Sequence, residues 1–177
     1  DTEFMRERTY YPQLCLVQLS DGAIAVAIDP LAKGLDLTPL WTLMRDKKIV
    51  KVFHAGQQDM EIFLHQMGQL PAPIYDTQIA AMVCGLGDQV GYDKLVKALL
   101  DDEIDKTSRF TDWSKRPLSN RQIAYALDDV IYLAQLYPLM KKRIADDGRT
   151  DWLDEEYAKL NDPATYVTAP IDAWQRL

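Results

Sequence analysis

Histidine and cysteine are scarce in this chain, with two of each among 177 residues. Zinc sites draw on His and Cys at short fixed spacings, so no zinc site can be assembled here. Two unclustered cysteines, Cys15 and Cys84, also exclude a disulfide framework. They read as buried thiols of a reducing compartment, and a cytoplasmic location is expected. No run of about 18 uncharged apolar residues occurs, so no membrane span is read. Neither a signal peptide nor a transit segment is visible, and there is no internal repeat or low-complexity segment. A basic excess is missing too. The formal net charge is −7, which argues mildly against a nucleic-acid partner, because phosphate binding usually leaves a basic footprint.

What is present suits one enzyme-sized core: 47% of residues are hydrophobic and 27% charged, enough for a single substantial domain. Much of the acidic excess lies in Asp146 to Glu156, while Lys106, Arg109, Lys115, Arg116 and Arg121 gather within a short stretch. Cations bound by the acidic groups would reverse the local field. The charge balance therefore leaves a phosphate-bearing partner open.

The pattern along the chain is α/β. Gln13 to Ser20 and Ala23 to Asp29 are rich in Val, Ile and Leu and are joined by Asp21-Gly22, a favoured tight turn, which predicts an antiparallel hairpin. Leu37 to Asp46 has helical spacing. Ile49 to Phe53 reads as a short buried strand ending at His54, followed by a helix over Gln57 to Met67 with Asp59 in its first turn. A strand over Ile74 to Asp76, a helix through Cys84 and a helix over Tyr92 to Leu100 are expected next. Ser119 reads as the N-cap of a long helix reaching about Ala145, kinked or divided at Pro138. Such an order fits a mixed sheet flanked by helices, with the site at the strand ends.

Three short stretches carry the chemistry: Asp1-Thr2-Glu3, His54-Ala55-Gly56-Gln57-Gln58-Asp59, and Tyr125-Ala126-Leu127-Asp128-Asp129. Asp1 and Glu3 stand two apart and share a face if they belong to a strand. Tyr125 and Asp129 stand four apart and lie one above the other on a helix. Four carboxylates brought together would repel, and burial would make each ionised form less favourable. Hard divalent cations such as Mg²⁺ or Mn²⁺ would relieve the crowding through oxygen ligands.

In this order the three stretches resemble the DEDD superfamily of 3′-5′ exonucleases, in its tyrosine-containing branch. The surrounding words, Asp1-Thr2-Glu3-Phe4 running into Thr9-Tyr10-Tyr11-Pro12-Gln13-Leu14, and Asp112-Trp113-Ser114-Lys115-Arg116-Pro117-Leu118, are similar to ribonuclease D. The resemblance implies an RNase H-like mixed central sheet flanked by helices. It implies an exonuclease domain over residues 1–160, its first strand truncated before Asp1 and the chain therefore part of a longer protein. Residues 161–177 would form a linker towards an absent C-terminal helical domain. The implied activity is metal-dependent release of nucleoside 5′-monophosphates from RNA 3′ ends, as in trimming of transfer RNA precursors.

The same resemblance implies Asp1, Glu3, Asp59, Tyr125 and Asp129 as catalytic residues, the four carboxylates holding two divalent ions roughly 3.5–4 Å apart. Asp1 would bridge the ions, Glu3 and Asp129 would complete the first site, and Asp59 would support the second. Tyr125 would orient the attacking water, its phenol being too weak an acid for a strong base. No small-molecule cofactor and no membrane partner are expected. Phe4, His54, Lys106 and Arg116 are candidate substrate contacts. Each has an alternative: core packing for Phe4, a hydrogen-bonded structural role for His54, and solvent for the two cations. Asp76 reads as a helix cap, Trp113 as an anchor for its loop, and Asp128 as exposed. A DNA exonuclease of the proofreading or Werner type, and a binding module without turnover, are the competing readings.

Overall fold

The computed structural model describes residues 1–6 and 9–167, Lys106 by its backbone alone. The N-terminal third is a meander of β1 (Thr2–Met5), β2 (Gln13–Ser20) and β3 (Ala25–Ile28), all antiparallel with β2 in the middle. Then come α1 (Thr38–Arg45), β4 (Lys51–Phe53), α2 (Gln57–Met67), β5 (Ile74–Asp76), α3 (Thr77–Val83) and α4 (Tyr92–Leu100), with β4 and β5 paired in parallel. The chain continues through a 3-10 turn at Lys106–Ser108 into α5 (Asn120–Asp146) and α6 (Thr150–Leu160). Both strand directions of the expected mixed sheet are present. Among the described residues their hydrogen bonds form ladders of three and two strands.

A bulge in the first ladder decides which residues meet. Glu3 pairs with Leu16 but Phe4 pairs with Leu14, leaving Cys15 as the extra residue on β2. Strict alternation would put Leu14 and Leu16 on one face. Instead Leu14 and Val17 join the core formed with α1 and α2, while Cys15 and Leu16 pack with Trp113 and Ala126. A further core unites α3, α4, α5 and α6 through residues such as Ala80, Leu95, Leu136 and Leu153. Both cysteines are free and buried.

Helix α5 is built as its sequence dictates. Ser119 and Gln122 form a reciprocal capping box at its start. The buried stripe Ala126, Val130, Leu133, Met140 and Ile144 follows helical spacing. The helix is a single element through Pro138, so of the expected kink or division the division does not occur. At 27 residues it is about 40 Å long.

Two local expectations need correction, and two stretches read without elements carry them. The hairpin between β2 and β3 is closed by the four residues 21–24, since Ser20 pairs with Ala25. Asp21 organises this turn by accepting from the backbone N–H groups of Ala23 and Ile24 at 2.9 and 2.8 Å. Strand β4 begins only at Lys51, and Ile49 and Val50 are exposed. Lys51 is buried there, its ammonium donating to the carbonyls of Asp46, Ile49 and Ala72 at 2.5, 2.8 and 2.6 Å. The acidic stretch near residue 150 forms α6, whose Leu153, Tyr157 and Leu160 are buried. Of the stretch read as a linker, Pro163–Tyr166 form a 3-10 turn, and Tyr166 packs into the core and donates to the Leu160 carbonyl at 2.7 Å. Residues 168–177 lie outside the described residues.

Candidate active site

The site opens between β1, the start of α2 and the first turns of α5, as a cleft of about 730 Å³. Strand β1 places Asp1 and Glu3 on the face towards α5, and the i, i+4 spacing of α5 stacks Tyr125 beneath Asp129. Asp1, Glu3 and Asp129 each offer a carboxylate oxygen such that all three lie within 4.8 Å of one another. Ladder bonds hold the strand at this point: Gln18 N–H donates to the Asp1 carbonyl at 3.0 Å and Asp1 nitrogen donates to the Gln18 carbonyl at 3.1 Å.

Asp59 stands apart from that trio. Thr2, on the opposite face of β1 from Asp1 and Glu3, donates its hydroxyl to Asp59 at 2.6 Å. The carboxyl is buried and still lines the cleft. Its helix is launched by a tight connection. Ala55 adopts a left-handed conformation at φ 54°, which costs a non-glycine residue about 1–3 kcal/mol. Asp76 compensates by accepting from the N–H groups of Ala55 and Gly56 at 3.1 and 2.8 Å, while also capping α3. A side chain at Gly56 would stand 2.8 Å from the Phe53 Cβ, so glycine is required.

The electrostatics are those of crowded acid. Burial, followed by repulsion from Asp129 and Asp59, pushes the Glu3 carboxyl up to about 8. Burial pushes Asp129 up to about 7, opposed in part by the Tyr125 hydroxyl. Burial also raises Asp59. Tyr125 is raised above the ordinary phenol value, by burial first and then by Asp129 and Glu3, so its hydroxyl keeps its proton at neutral pH.

Other expected contacts divide. Phe4 packs against the first core and also lines the cleft. His54 lines the cleft with Nδ1 at 3.0 Å from the Thr77 hydroxyl and its ring tilted against Tyr92. Burial lowers its pKa, opposed in part by the carboxylate of Asp76 and a hydrogen bond with the Val90 backbone. Arg116 is corrected. Its donors go to the Asp29 carboxylate and to the carbonyls of Trp113, Lys115 and Cys15 at 2.6–2.8 Å, so it pins its loop to the β2–β3 ribbon and does not face the cleft. The side chain of Lys106 lies outside the described residues. Asp128 is half-buried rather than exposed, and burial raises its carboxyl.

Several cleft residues escaped the sequence reading. Tyr92 donates its hydroxyl to the Asp129 carbonyl and so fixes the turn of α5 that carries the carboxylate. Nothing in the sequence around Tyr92 signals this long-range bond. Arg109 and Phe110, ahead of the Tyr125 motif in the sequence, also line the cleft. Their signal was available, a cation and an aromatic side by side in the cluster of basic residues.

Comparisons with known proteins identify the family. A family model described as 3′-5′ exonuclease matches residues 1–145. Ribonuclease D of Zymomonas mobilis is 53% identical over 178 residues, covering 100% of this chain and 46% of that protein. The crystal structure of Escherichia coli RNase D, described as an exoribonuclease involved in structured RNA processing, superposes with a TM-score of 0.90 at 41% identity, over 99% of this chain and 46% of that one. Brucella melitensis NrnC superposes with a TM-score of 0.82 at 32% identity, over 91% and 79% of the two chains. Solved structures of NrnC contain pGG and Mg²⁺. The chain spans about half the length of the curated relatives it matches.

Proposed function

This chain belongs to the 3′-5′ exonuclease family and is similar to ribonuclease D, and on that premise we propose that it is a metal-dependent 3′-5′ exoribonuclease. It would release nucleoside 5′-monophosphates from the 3′ ends of structured RNAs such as transfer RNA precursors, in the cytoplasm, with no small-molecule cofactor. One observation carries the reading: carboxylate oxygens from β1 and α5, far apart in sequence, converge within 4.8 Å.

The donor set fits the implied metal. All three groups are hard oxygen ligands, and burial, with repulsion from neighbouring carboxylates, holds the Glu3 and Asp129 carboxyls above their ordinary values, a penalty that a divalent cation would remove. Asp1, Glu3 and Asp129 would hold such an ion, Mg²⁺ or Mn²⁺, with Asp59 serving a second. A bound ion of this kind supplies Lewis acidity to phosphate and water. Tyr125 would position the attacking water through a hydroxyl that stays protonated. Thr2 and Tyr92 act behind the carboxylates, Thr2 on the Asp59 side chain and Tyr92 on the Asp129 backbone, limiting the movement of two charged groups that repel their neighbours.

The test is incubation with RNA bearing a free 3′ end and with single-stranded DNA, in Mg²⁺ or Mn²⁺ and then with chelator. Mononucleotides released from RNA and abolished by chelator are expected. Release from DNA alone would point to the DNA exonuclease, and tight binding without product to a silent binding module.

A further inference from the structure

One aromatic in the cleft is used by neither the core nor the carboxylate site. Phe110 is 91% exposed, the most exposed of the large hydrophobic residues among those described, and it lines the same cleft as Glu3, Tyr125 and Asp129. The guanidinium of Arg109 sits over its ring, 5.1 Å from the centroid. Single exposed apolar side chains are ordinary on a protein surface. This one differs in its position at the cleft and in the way its backbone is held.

The turn presenting the pair is braced on both sides. Ser108 is buried, and its carbonyl accepts from the Thr111 hydroxyl at 2.8 Å and from the Thr111 N–H at 3.2 Å. Thr111 in turn accepts from Gln122 Nε2 at 3.1 Å, which ties the turn to the capping box of α5. Upstream, the Asp105 carboxylate accepts from the Thr107 N–H and hydroxyl and pairs with Arg121 at 3.1 Å. Phe110 therefore stands in solvent on a fixed support. Arg109 is close enough to the carboxylate site to lower the Glu3 and Asp129 carboxyls, while Phe110 beside it is exposed and lines the same cleft.

We infer that Phe110, with Arg109 over its ring, is a nucleobase platform on which a base of the unpaired 3′ segment of the RNA stacks while the terminal phosphodiester lies at the carboxylates. This rests on the nuclease reading and adds a specificity to it. An aromatic face accepts any base, so the platform discriminates by strandedness rather than by sequence. A base still held in a duplex cannot reach the ring, so trimming stops where pairing begins. Arg109 supplies a cation next to the phosphate backbone and polarises the stack.

Binding without turnover is measured by the fluorescence of RNAs carrying 2-aminopurine at the last or second-last position and a hydrolysis-resistant phosphorothioate at the 3′ linkage, in Mg²⁺. Stacking on Phe110 is expected to quench one of the two RNAs. Phe110→Ala should abolish the quench and weaken binding about tenfold, and Phe110→Trp should restore both. Because the ring is exposed, the alanine variant folds normally. Arg109→Gln should lower the slope of log Kd against log salt by about 0.7. An unchanged slope would remove Arg109 from the platform, and equal affinity and quench in wild type and Phe110→Ala would overturn the inference altogether. A parallel assay with unmodified RNA keeps the two readings separate: no hydrolysis by the wild type in either metal defeats the nuclease assignment, whereas the fluorescence still decides the platform.

Discussion

At the scale of single residues, the roles of Tyr125 and Asp129 differ although they share one face of one helix. Tyr125 cannot serve as a base near neutrality, since burial and the neighbouring carboxylates hold its proton on. Removing its hydroxyl should then remove orientation and little else. Tyr125→Phe is expected to lower kcat about 100-fold while leaving Mn²⁺ affinity by calorimetry within error of the wild type. An unchanged kcat would take Tyr125 out of the reaction. Asp129→Asn is different in kind. It deletes a charge that burial resists, so turnover should vanish while the metal-free protein melts at a higher temperature at pH 8. A lower melting temperature would mean that this carboxylate is held by favourable contacts, contrary to the crowded-acid description.

At the scale of elements, the loop before α5 owes its position to one side chain. Arg116 joins the β2–β3 ribbon to the Trp113 loop through the Asp29 carboxylate and three backbone carbonyls. Arg116→Ala should destabilise the fold by about 2 kcal/mol, read as a lower urea midpoint, and should also lower kcat because Trp113 packs beside Tyr125 with ring centroids 6.1 Å apart. Loss of activity without loss of stability would contradict this pinning role. The sequence words around Arg116 suggested a phosphate contact, and they could not reveal that Asp29, 87 residues away, satisfies it. Elements with strong local signals were legible: α2, α4 and β5 fall where periodicity and the glycine boundaries place them, and Ser119 caps α5 as its spacing to Gln122 dictates. What was not legible depended on distant partners. The bulge at Cys15 arises only in pairing with β1, α6 is too polar for its buried stripe to stand out, and the Thr2 to Asp59 bond joins residues 57 apart in the sequence.

At the scale of the whole molecule, the proposed metal site would couple metal to stability through pH. In an unfolded chain the carboxyls of Glu3 and Asp129 lose their protons near 4.5 and 3.8, whereas in the fold they hold them to about 8 and about 7. Across that interval the folded state binds more protons than the unfolded one, so stability falls as pH rises. The penalty is absent below the unfolded values and complete above about 8. The metal-free protein should accordingly melt at progressively lower temperature from pH 5 to pH 8 in chelator. A metal held at the proposed site would require the ionised carboxylates and bind only the fold, so its stabilisation should grow over the same interval. Because a net charge of −7 could tilt the curve by general repulsion, the variant Glu3→Gln/Asp129→Asn is the control. It should flatten the chelator curve and abolish the metal response. If the variant retains the slope, the dependence belongs to the overall charge, and the carboxylate cluster is not what couples metal to stability.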